Sequence, residues 1–260
     1  MALRFLRRRR TEATTMTVVE HLDELRRRLV ISVMALGVGG IAGWFLFPSV
    51  FTALTNAFCD FMSEPAHRVL ALDPRNPCKL AYNTIPEPFL MKIKLVAFIA
   101  FVVALPVILY QFWRFVTPGL LPRERRYAAP FVLVSIGLFV LGGWFAMLTL
   151  PKGLDFLLGF AGTERVVIVL SIAKYIGFVM LLIVAFGAAF EFPVILVSLT
   201  LAGVLSSQQL RRARRYAVLG ISVAAAVITP SQDIFTMTAM MVPLLIFYEL
   251  SILISRILKR

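Results

Sequence analysis

Apolar runs long enough to cross a membrane constrain this chain more than any other feature. Phe89–Val116 carries its charges only near its ends, at Lys92, Lys94 and Arg114. As helix its 28 residues reach about 42 Å, against a hydrocarbon core of about 30 Å. Five other runs accompany it: Leu29–Phe47, Ala128–Leu150, Ile172–Ala202, Tyr216–Ile228 and Phe235–Ile254. They account for a chain that is 60% hydrophobic and 16% charged. A soluble domain stands nearer half apolar and a quarter charged. The expected fold is therefore an all-α polytopic membrane protein with six transmembrane helices. It forms one membrane domain over residues 1–260, with residues 48–88 as an exoplasmic loop.

Charge sets the expected orientation. Nineteen of the 27 Lys and Arg lie in the N-terminal tail and opening helix, in the 117–127 connection with Arg114, in Arg211–Arg215, and in the C-terminal tail. Six crossings put those segments on one side. The positive-inside rule makes that side the cytoplasm, with both termini there. The net charge of +13 is thus topological. No basic domain large enough to grip nucleic acid lies outside the spans, so nucleic acid is not an expected partner. The N-terminus does not read as a cleaved signal peptide, because no small-residue cleavage site ends the first run.

The spans are unequal. Tyr216–Ile228 has 13 residues, about 20 Å. The sixth is bounded by Asp233 and Glu249, and Thr229–Asp233 leaves room for only a tight hairpin between the two. This pair is expected to be short, and either to thin the bilayer locally or to shelter behind other helices.

Cys59 and Cys78 are the only cysteines. Both fall in the first exoplasmic loop, in a compartment that permits disulfides. Closing the 18 residues between them is worth about 3 kcal/mol in the chain-entropy model. A disulfide is expected there.

Catalysis is not expected. The two histidines, His21 and His67, lie outside the spans. There is no H-E-x-x-H, no G-x-S-x-G, no metal cluster and no phosphate-cradling glycine loop. No cofactor is implied.

Glu191 is the most expensive residue in the chain. Sixteen uncharged residues, Tyr175–Phe190, precede it, and Pro193 follows closely. A charge near the bilayer centre costs about 3 kcal/mol on insertion scales. It should face a cavity, a partner helix or water. A functional acid and a structural carboxyl bonded to a neighbouring helix are both consistent with the sequence.

The stretch Thr17–Ile31 sets Glu20, Asp23 and Glu24 ahead of Arg26, Arg27 and Arg28. Thr17 and Glu20 fit a capping box. Asp23–Arg27 and Glu24–Arg28 fit i,i+4 pairs. Yet the cytoplasmic leaflet is negative, and acids held against it oppose anchoring. A cationic ligand arriving along the membrane would repay them, since guanidinium groups bind carboxylates in bidentate fashion.

These residues carry a resemblance. His21-Leu22-x-Glu24-Leu25-Arg26-x-Arg28-Leu29 resembles the N-terminal signature of TatC, the multispanning component of the twin-arginine protein translocase. So do Pro106-Val-Ile-Leu-Tyr-Gln-x-Trp-x-Phe115-x-x-Pro118-Gly-Leu with Glu124-Arg125-Arg126, Phe190-Glu191-Phe192-Pro193, and Thr229-Pro230-x-x-Asp233. The resemblance implies a cupped six-helix fold in the prokaryotic cytoplasmic membrane. It implies a receptor for twin-arginine signal peptides of folded cargo, oligomeric within its complex and assembled with TatA/TatB-type single-span subunits. Transport would draw on the proton-motive force. It implies Glu24 and Glu124 as the acids meeting the arginines, with Arg26 and Phe115 beside them. Glu191 matches the buried acid of the concave face, and Asp233 an exoplasmic acid. A proton-coupled secondary transporter using Glu191 is the alternative reading, and a structural membrane scaffold a third.

Overall fold

The computed structural model describes residues 18–63, 81–116, 128–159, 171–229 and 233–258. Among these residues eight helices follow one another: α1 (Val18–Ser63), α2 (Glu87–Val116), α3 (Ala128–Gly159), α4 (Ile172–Phe190), α5 (Phe192–Leu201), α6 (Ser207–Arg212), α7 (Arg214–Ile228) and α8 (Ile234–Leu258). Among the described residues five stretches are long and apolar enough to cross a membrane: Leu22–Met62, Glu87–Phe115, Pro130–Leu157, Ile172–Leu201 and Ile234–Ile257.

The contacts fix how the helices run. Gly39 of α1 faces Ala100 of α2, and Gly43 faces Val96, so the two are antiparallel. A Cβ added at Gly39 would lie 2.5 Å from the Ala100 carbonyl oxygen, and one at Gly43 2.8 Å from that of Val96. Only glycine lets the backbones come this close. The same device joins α3 to α4, where a Cβ on Gly142 would meet the Phe186 carbonyl oxygen at 2.6 Å. Trp113 of α2 stacks on Phe131 of α3 with centroids 5.3 Å apart, and Phe101 meets Phe139 at 6.0 Å. The start of α7 pairs with α8 through Arg214 and Glu249, and Ser222 further along reaches Met241 at 3.2 Å. That pair is also antiparallel.

Helix α4 is the centre. Ile176, Val179, Leu182 and Phe186 are fully enclosed. Helix α1 is the outer wall, and Val33, Val38, Ile41 and Phe45 are exposed on its apolar face. In a membrane-crossing helix such residues meet lipid, which costs nothing because lipid tails are as apolar as they are. Lys92 lies 4.0 Å from the Trp44 ring centroid, a cation held against an aromatic face near the far end of the spans.

The structure corrects several expected boundaries. The loop placed at residues 48–88 begins late, because α1 continues to Ser63 with Pro48 inside it. Leu54, Phe58, Phe61 and Met62 are buried and recur at helical spacing. Phe58 packs on Tyr175 with centroids 4.8 Å apart, and the Tyr175 hydroxyl donates to the Leu54 carbonyl at 3.3 Å. Helix α3 likewise runs past Leu150 to Gly159 and buries Leu154. The span expected at Ile172–Ala202 breaks at Glu191 into α4 and α5, with Pro193 in the first turn of α5. Of the last two helices the shortness is concentrated in α7, whose 15 residues reach about 22 Å. Helix α8 has 25 residues, about 37 Å. It extends past Glu249, whose carboxylate pairs with Arg214.

Candidate functional site

The close approach of α1 and α2 at Gly39 and Gly43 brings the start of α1 against the end of α2. There Arg28 donates from Nη2 to Glu24 Oε1, one turn away on α1, and from Nη1 to Gln111 Oε1 of α2 at 3.3 Å. The i,i+4 pair expected of Glu24 and Arg28 is present. Both side chains are half-buried and Gln111 is buried. They line a cavity of about 400 Å³, with Asp23, Arg27 and Arg114 at its edges. Its polar capacity is unfilled. Glu24 Oε2 and Arg28 Nε are buried with no hydrogen-bond partner among the described residues. A carboxylate oxygen enclosed without a donor is costly. A guanidinium entering the cavity would supply that donor in fork geometry.

The other expected site residues are distributed around this cavity. Arg26 is exposed and does not line it. Phe115 is half-buried, one turn beyond Gln111 and so on the same face of α2. Glu124 lies outside the described residues, as do Thr17 and Cys78. Cys59 is disulfide-bonded. Asp233 is buried at the opposite end of the molecule, where Oδ1 accepts the Thr236 backbone N–H at 2.7 Å. That is an N-cap for α8.

Glu191 does not join the Glu24 cavity. It is buried at the α4–α5 break, ten residues before the end of α5 at Leu201, about 15 Å along the axis. The Ser135 hydroxyl of α3 hydrogen-bonds its carboxyl group. Trp113 of α2 donates its indole N–H to the same Ser135 oxygen at 2.8 Å. The second carboxyl oxygen, Oε1, is buried without a partner among the described residues. A three-residue polar chain thus crosses the interior from α2 to α3 to the α4–α5 break. The end of α2 serves two directions. Gln111 faces α1, and Trp113, two residues on, faces α3.

Sequence reading passes over Gln111, Trp113 and Ser135 as site residues. Gln111 and Trp113 stand inside the matched motif, and a glutamine ending an apolar run is a signal that it has a partner. A lone serine in an apolar span carries no such signal, since its hydroxyl can bond its own helix.

The chain is similar to known proteins over most of its length. Residues 20–243 match the model of the family described as Sec-independent protein translocase protein (TatC). The TatC of Frankia casuarinae is 39% identical over 256 residues, 98% of this chain and 69% of that protein. The TatC of Aquifex aeolicus is 39% identical over 247 residues, 94% of this chain and 97% of its own. A crystal structure of the twin arginine translocase receptor TatC superimposes with a TM-score of 0.74 at 38% identity, over 93% of this chain and 100% of that one.

Proposed function

The chain belongs to the TatC family of Sec-independent protein translocase proteins, and from that membership we propose that its Glu24 cavity receives the arginines of twin-arginine signal peptides. The protein is an integral membrane component of the Tat translocase, a complex with other subunits, and it is not an enzyme. This membership displaces the secondary-transporter and scaffold readings.

The observation that supports the cavity is its unfilled polar capacity: a half-buried carboxylate with one oxygen spare. Glu24 is the acid at the centre. Glu124 follows α2 in sequence and supplies the second acid. Phe115 stands one turn beyond Gln111 on α2, outside the lining, and Arg26 lies on the exposed flank. Arginine is favoured over lysine because its planar fork can meet a carboxylate with two parallel hydrogen bonds. The cavity faces the cytoplasm of a prokaryotic cytoplasmic membrane, since Arg26, Arg27, Arg28 and Arg114 stand at its end of α1 and α2. Recruitment of TatA/TatB-type subunits into an oligomeric complex and the use of the proton-motive force complete the reading. Glu191 is the intramembrane polar site, and Asp233 marks the exoplasmic end.

A photocrosslinker at Arg27 or Ile31, both on the cavity wall, tests this without removing Glu24. An Arg-Arg signal peptide should label strongly and a Lys-Lys peptide weakly. Equal labelling would overturn the receptor role of this cavity.

A further inference from the structure

We propose that the notch where α6 and the start of α7 meet the end of α8 binds an anionic phospholipid of the cytoplasmic leaflet. The proposal rests on the orientation given above, and not on the signal-peptide cavity. The notch has a volume of about 680 Å³. Arg211, Arg214 and Arg256 line it, from three different helices, and Glu249 is the one acid in its lining. Arg214 donates to Glu249 at 2.6 Å, which leaves two guanidinium groups, Arg211 and Arg256, without a counter-charge in the lining.

The notch is held by hydrogen bonds and the Arg214–Glu249 pair rather than by Arg211 or Arg256. The Tyr248 hydroxyl of α8 donates to the Leu210 carbonyl at 2.7 Å, which fixes α6, and Arg211 with it, against α8. Thr200 of α5 and Ser255 of α8 share a hydrogen bond of 2.7 Å, which fixes the turn that carries Arg256. Arg211 and Arg256 are therefore presented by a frame that does not depend on their charge.

The remaining wall is apolar. Glu249, Leu253 and Arg256 follow at i, i+4 and i+7 on one face of α8, and Leu250 lies beside them. Leu250 and Leu253 are exposed at 43% and 53%. An apolar strip that faces lipid and ends in cations at the interface matches one ligand chemistry: a phosphodiester headgroup with its acyl chain running down the helix. A free phosphate would use the guanidinium groups and leave the strip idle.

The test uses delipidated full-length protein in neutral detergent, titrated with phosphatidylglycerol or phosphatidylcholine and read by native mass spectrometry. One phosphatidylglycerol should be retained and phosphatidylcholine lost. The Arg211→Gln/Arg256→Gln double variant should retain about fivefold less or lower. Equal retention of the two lipids, or undiminished retention by the double variant, would overturn the proposal. Displacement of the lipid by millimolar inorganic phosphate would also overturn it, since the strip would then contribute nothing. A cooperative thermal melt matching that of the unmutated protein shows that the double variant is folded. Absence of Arg-Arg crosslinking at Arg27 in unmutated protein that still holds the lipid would remove the receptor reading alone.

Discussion

Ser135 illustrates how much one small side chain can hold. It accepts from the Trp113 indole and donates to the Glu191 carboxyl. Three elements meet at one fully buried hydroxyl. Ser135→Ala leaves a buried donor and a buried acceptor unsatisfied, at about 1–3 kcal/mol. Thermal unfolding in detergent should show that loss. A double-mutant cycle with Glu191→Gln should show a coupling of about 0.5 kcal/mol or more. Additive losses would mean that the two do not share a bond. Glu191 itself was legible, because an acid within an apolar span demands a partner. The identity of that partner was not, since a serine in a span reads as neutral and the pairing joins residues 56 positions apart. At the Glu24 cavity the pairing with Arg28 was legible from helical spacing. Gln111 was not, because its role appears only when α1 and α2 are placed side by side.

Among the elements, α1 and α2 define the cavity, and their spacing depends on two glycines. Gly39→Ala places a methyl group 2.5 Å from the Ala100 carbonyl oxygen, so the helices must separate. Overpacking of this kind costs about 1–3 kcal/mol, and the melting temperature should fall. The same change at Gly37 or Gly40, where nothing lies within 4 Å, should leave it unchanged. Equal effects at all three sites would show that helix propensity, and not contact, decides. Helix α2 was the most legible element, with its Phe89–Val116 boundary two residues short of the observed start. The hydropathy of its run leaves no other choice. The extension of α1 was hidden by Pro48 and by the polar residues that follow. Its apolar side chains form a stripe of one face, which lowers the mean hydropathy while preserving the packing surface.

For the whole molecule, orientation is the property on which the receptor reading stands. A single cysteine placed at exposed Gln208, in protein whose native cysteines are replaced by serine, should react with an impermeant maleimide only from the cytoplasmic side of vesicles. One placed at Ile85, which is 98% exposed, should react only from the opposite side. The reverse pattern would invert the topology and move the Glu24 cavity outside. An all-helical fold with long apolar spans was legible from run lengths, and five such stretches stand among the described residues. Their mutual approach was not, because it is set by glycine contacts between distant runs. Helix α1 now acquires a mechanical meaning. Its 46 residues make a rod of about 69 Å, seated against α2 at Gly39 and Gly43. Glu24 lies 15 residues before the first glycine and Phe61 lies 18 after the second, lever arms of about 22 and 27 Å. The far arm is clamped, with Phe61 buried and the Leu54 carbonyl bonded to Tyr175, while most of the acid arm is exposed. A load applied at the acid end is therefore borne at the glycine seats and not passed to the far face.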